Sequence, residues 1–109
     1  MTSVLTPATV FEQLETIGLP ISYGFHIDVD SPIEPPYMVY LGDGQDTFEA
    51  DNTHYYRKNR YQLEYYFTQK NEAIETEIED ALLEFGFLYD KTEDVYIQDE
   101  NVFVIYYNF

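Results

Sequence analysis

The sequence contains no cysteine and no tryptophan, and only five of its 109 residues are Lys or Arg. Without cysteine there is neither a disulfide framework nor a thiolate metal site. Basic residues are missing altogether from residues 1–56, after which Arg57, Lys58 and Arg60 arrive together. Against 21 acidic residues the five Lys and Arg leave a formal net charge of −16. A surface that negative repels phosphate backbones, so ordinary nucleic-acid binding is disfavoured. No apolar run reaches the length of a membrane span, and the N-terminus lacks the basic start and apolar core of a signal peptide. The expectation is a chain kept in cytosol-like surroundings, without a membrane partner.

What is present is aromatic. Twelve Tyr and eight Phe, within a hydrophobic content of 45%, argue against disorder, because disordered acidic chains are poor in aromatics. A chain of 109 residues makes one domain, residues 1–109. It can bury roughly two thirds of its unfolded surface around a single core.

Two helices are expected. Residues 6–18 place Val10, Phe11, Leu14 and Ile17 on one face, with Pro7 in the first turn and Gly18 as a stop. Residues 71–85 form the second, capped by Asn71 and closed by Gly86, with Ile74, Ile78, Ala81, Leu82 and Phe85 as the buried stripe. Its remaining surface carries Glu72, Glu75, Glu77, Glu79, Asp80 and Glu84, with no Lys or Arg inside the helix to pair with them. That pattern predicts an open acidic face.

Strands are expected over 19–25, 37–41, 48–56 and 61–67, the last with the clearest two-residue alternation in the chain. Pro35-Pro36 leads into the strand at 37–41. Turns are read at 42–46 from its two glycines and at 57–60 from its polarity, with a bulge or bend at 50–52. A hairpin joins 87–89 to 95–97 around 90–94, and the β-branched, aromatic run 102–109 belongs inside the sheet, since an exposed edge of that composition invites aggregation. The fold class that follows is α+β, an antiparallel β-sheet with two helices packed on one face.

No residue pattern points to catalysis, a cofactor or a metal. There is no nucleophile elbow, phosphate-binding glycine loop or paired-histidine metal signature. His26 and His54 stand 28 positions apart, and Asp28, Asp30 and Glu34 lack the spacing of a calcium loop. Carboxylates abound, but nothing selects an acid–base pair from among them. Tyrosines without a basic track do not make a base-stacking platform; they suit protein contacts better.

A resemblance goes further. The N-terminal helix, Ile21-Ser22-Tyr23-Gly24-Phe25, Pro35-Pro36-Tyr37-Met38-Val39-Tyr40, Ala50-Asp51-Asn52, the Tyr-rich ribbon, the Glu-rich helix ending near Gly86 and the closing Tyr106-Tyr107-Asn108-Phe109 together resemble the tail completion, or tail terminator, proteins of long-tailed phages and prophages of Gram-positive bacteria. The similarity spans nearly the whole chain. It implies an α+β fold, a hexameric ring at the head-proximal end of the tail tube, and a structural role in ending tail growth and joining tail to capsid. The implied partners are further copies of the chain, the tail tube protein and a head completion or connector protein, with DNA passing through unbound. The implied location is the virion, after assembly in the host cytoplasm. No catalytic residue comes with the resemblance.

A closed ring requires two different patches on each protomer. The expected partner interface is Asp51, Asn52, Tyr56, Arg57, Lys58 and Arg60, meeting an acidic neighbour. Glu75, Glu79 and Asp80 are the expected lumen-facing acids. Repulsion between like-charged protomers at low salt favours a monomer in dilute solution and a ring only on the tail. The rival reading from the same charge is an acidic DNA mimic that inhibits a host DNA-binding enzyme.

Overall fold

The structure, a computed structural model, describes residues 7–24, 34–50 and 54–109, with side chains over 11–24, 34–47 and 57–109. The elements in chain order are α1 (Pro7–Glu15), β1 (Ile21–Tyr23), β2 (Tyr37–Ala50), β3 (His54–Phe67), α2 (Glu72–Glu84), β4 (Asp90–Lys91), β5 (Val95–Ile97) and β6 (Val102–Asn108). Six strands form one sheet in the order β1-β2-β3-β6-β4, with β5 also on β6. The fold is α+β.

One core holds it together. The inward residues of the sheet (Met38, Leu63, Tyr65, Phe67, Ile105 and Tyr107) meet Phe11 and Leu14 of α1 and Ile78, Ala81 and Leu82 of α2. Phe11 stacks on Tyr40 with ring centroids 3.5 Å apart. Each fully buried aliphatic or aromatic side chain of this kind contributes about 1.5–3 kcal/mol. The run 102–109 lies inside the sheet as expected: β6 pairs with β3 on one side and with β4 and β5 on the other.

Helix α2 forms as its sequence predicts. The Asn71 side-chain oxygen accepts from the backbone N–H groups of Ala73 and Ile74, and Gly86 follows with φ +83°. Ile78, Ala81 and Leu82 are buried, and Ile74 and Phe85 pack against them.

The strand layout differs from expectation in four places. First, 42–46 is not a turn. β2 runs through it to Ala50, with a register shift between Gly42 and Gln45 where Gly44 takes φ +84°. Glycine there lets one strand bulge and continue. Second, 57–60 is not a reversal: Arg57, Lys58 and Asn59 lie opposite Thr47, Asp46 and Gln45 in the middle of β3. Their polarity reflects solvent on both sides of the ribbon. Asp51 and Asn52 of the bend expected at 50–52 lie outside the described residues, as does Phe25.

Third, the sheet is mixed, not wholly antiparallel: β1 runs parallel to β2, with Ile21 opposite Met38 and Tyr23 opposite Tyr40. Thirteen residues separate the two strands, and parallel neighbours need a connection of about a dozen or more. Fourth, 90–94 does not turn a hairpin from 87–89. β4 and β5 both pair antiparallel with β6, and the register slips by one residue between them, so they make one bulged edge strand. The true hairpin joins β5 to β6 through a turn that includes Asn101 at φ +55°.

Candidate functional site

Around the start of α2 lies a compact charge network. Glu75 is 2% exposed. Lys70, just ahead of the cap, places its ammonium 2.8 Å from Glu75 Oε2 and 3.1 Å from Asp94 Oδ1. Lys91 arrives from β4, 2.9 Å from Glu75 Oε1 and 2.8 Å from Glu79 Oε2. The Tyr107 hydroxyl also donates to Glu79 Oε2, at 2.8 Å. Burial alone raises the Glu75 carboxyl pKa, but hydrogen bonds from Lys70 and Lys91 outweigh it and hold the group below its ordinary value. Burial works against the Lys91 charge, and its bonds to Glu79 and Glu75 prevail, pushing its pKa up.

This network corrects the expected acidic face. Glu75 offers no free surface, and Glu79 is half-buried and paired; only Asp80 of the three expected lumen acids is exposed and without an ion pair among the described residues. No cation lies within α2, but two arrive from outside it. A signal for Glu75 was present: it stands three positions before Ile78 and seven before Leu82, on the buried stripe itself. The exposed acids of α2 are Glu72, Glu77, Asp80 and Glu84. Glu77, Asp80 and Glu84 face α1 across an open cleft of about 320 Å³ shared with Gln13, Thr16 and Ile17.

The second feature is a two-stranded arm. The β1 ladder ends on Tyr40, and that of β6 on Gln62, where Tyr61 exchanges two last backbone bonds with Phe109. Beyond those points, among the described residues, β2 and β3 pair only with each other, up to Ala50 opposite His54. About eight residues of each strand at ~3.4 Å per residue make a projection of ~27 Å. None of its described side chains is buried.

The arm brings part of the expected interface together. Arg60 pairs with Asp46 at 3.0 Å, while Arg57 and Lys58 have no ion-pair partner among the described residues. Asp51, Asn52 and the Tyr56 side chain lie outside the described residues. Four acids and three bases between Gly42 and Arg60 leave one net negative charge on the arm, against fifteen on the rest of the chain.

Between the start of β2 and the start of α2 lies a third feature, an open cavity of about 300 Å³ whose walls include Pro35, Pro36, Tyr65, Phe67, Lys70 and Ile74. Neither Lys70, Lys91 nor Tyr65 stands out in the sequence, because their roles depend on neighbours distant along the chain.

Among the described residues no group of three or more His, Asp or Glu is placed to hold a metal ion. No described helix is long and apolar enough to cross a membrane. The chain matches no protein-family profile and no curated protein.

Proposed function

We propose that the protein is a structural virion component at the head–tail interface, ending the tail tube and joining it to the capsid as a ring of identical copies. The observation that carries this reading is the β2–β3 arm. A two-stranded ribbon is at best marginally stable in water by itself, so a long exposed one is explained if it docks on another molecule. Its charge supports the same idea. The arm is close to neutral and carries two cations without an ion pair among the described residues, while the body it would meet in a neighbouring copy is strongly acidic. An arm that docks on a different patch of the next protomer makes a heterologous contact, the kind that closes rings. The sequence resemblance supplies the setting, and the exposed acids Glu77, Asp80 and Glu84 replace Glu75 and Glu79 as the surface that repels passing DNA.

Purified tail tubes should capture the wild-type chain and lose the double variant Arg57→Glu/Lys58→Glu. Tails assembled without the protein should vary in length under negative-stain microscopy. Uniform lengths, with no capture by tubes, would overturn the reading; capture by a basic host nuclease instead would establish the DNA-mimic alternative.

A further inference from the structure

Both described helices pack on the face of the sheet that carries Met38, Leu63 and Tyr65. Side chains alternate along a strand, so Glu64 lies on the opposite face of β3. The register sets Glu64 between Val39 of β2 and Tyr106 of β6, and sets Tyr66 beside Tyr37. Val39 and Tyr37 are buried, whereas Glu64, Tyr66 and Tyr106 are half-buried and reach the surface. The Tyr66 hydroxyl donates to a Glu64 carboxylate oxygen, and the Tyr37 ring backs Tyr66 at 4.8 Å between centroids. Burial, and after it the Glu64 charge, push the hydroxyl pKa values of Tyr66 and Tyr106 up, so both groups stay neutral. The outcome is one carboxylate, without an ion pair among the described residues, flanked by two tyrosines.

That combination suits a guanidinium. A carboxylate takes this planar group through two parallel N–H bonds, and its flat face stacks on aromatic rings. Tyrosine faces also attract a cation within about 6 Å of the ring centroid.

The chain itself supplies such a group. Arg57 on the arm is exposed, lies opposite the neutral Thr47 and has no ion pair among the described residues. Lys58 instead stands opposite Asp46, which Arg60 already holds. Arg57 does not reach Glu64 of its own chain. The seven positions between them span ~24 Å of extended strand, and an odd separation sets the two side chains on opposite faces of β3. Only a second copy brings the two together.

We infer that Arg57 on the arm of one copy docks on the sheet face of the next that no described helix covers. Its guanidinium bonds to the Glu64 carboxylate and lies against Tyr66 and Tyr106. This inference rests on the docking arm proposed above and names the patch that receives it. Because donor and receiving patch differ, each copy gives one such contact and accepts another.

The test is sedimentation velocity of the full-length chain at high concentration. At ~0.15 M salt, repulsion between net charges is screened beyond ~8 Å. Wild type is compared with Arg57→Glu, with Glu64→Arg, and with an equimolar mixture of the two variants. Wild type should associate reversibly. Each variant alone sets like charges together at the contact and should weaken association at least about tenfold. In the mixture every arm again meets an opposite charge, so association should return. Glu64→Gln, which keeps an acceptor for Tyr66, should weaken association with the unfolding midpoint unchanged. Arg57→Lys, which loses the planar fork, should weaken it several-fold. A wild type that stays monomeric, variants that associate like wild type, or a mixture of folded chains that stays apart would each overturn the contact. Association without capture by tail tubes would sink the virion reading alone; capture without rescue in the mixture would sink this contact alone.

Discussion

Lys91 on the edge strand places its ammonium 2.9 Å from the carboxylate of Glu75 on α2, sixteen positions earlier in the chain. That contact ties the first turn of the helix to the edge of the sheet. Lys70 does the same from the other side, bridging Glu75 to Asp94. Between them they neutralise a carboxylate that packing has placed out of water.

Lys91→Met keeps the length of the side chain and removes its charge. Glu75 then retains Lys70, and Glu79 keeps the hydroxyls of Tyr107 and Tyr89. Breaking a buried pair by removing one partner costs about 3–5 kcal/mol. Because Lys91 is one third exposed, a loss of about 1–3 kcal/mol is expected, read from the urea midpoint. A loss below about 0.5 kcal/mol would assign the pair to the weak surface class.

The pH dependence has a definite sign. The Glu75 pKa is lowered on folding, so its contribution is present above the unfolded value of 4.5 and is lost as pH falls through the folded one. Lys91 is raised on folding, so its contribution holds below 10.5 and is lost only as pH rises through the folded value. Acidification also relieves the self-repulsion of a chain with net charge −16. The stability difference between wild type and Glu75→Gln removes that shared background. It should be level through neutral pH and shrink below about pH 4.5.

Asn71→Ala deletes the side-chain acceptor for Ala73 and Ile74. Loss of such a cap costs about 1 kcal/mol. The denaturation midpoint should fall accordingly, and Asn71→Asp should recover most of it.

The arm should open independently of the body. Among the described residues, the amides of 42–50 and 54–60 have one ladder at most, whereas those of 62–66 sit between two strands. Hydrogen exchange in the arm is expected to be at least about a hundredfold faster. Gly44→Ala, at φ +84° with open space around the added methyl, should cost about 1 kcal/mol locally. The effect should appear as faster arm exchange with the global midpoint unchanged; protection equal to that of β6 would mean that the arm is already docked.

Local chemistry alone determined much of this molecule. Asn71, the stripe Ile78–Leu82 and Gly86 define α2 wherever it packs, because cap and period lie within one segment. The alternation Tyr61–Phe67 and the apolar run 102–109 likewise require a buried sheet. What the sequence could not reveal depends on partners distant along the chain. A glycine pair reads as a turn, but in β2 it bulges a strand that β3 holds in register. A polar stretch at 57–60 reads as a reversal, yet it stays extended because the arm has water on both faces. Glu75 resembles its exposed acidic neighbours until tertiary packing buries it and brings Lys70 and Lys91 to its carboxylate. Tyr65 is an ordinary core tyrosine in sequence, and only the packing around it leaves its hydroxyl without a hydrogen-bond partner among the described residues.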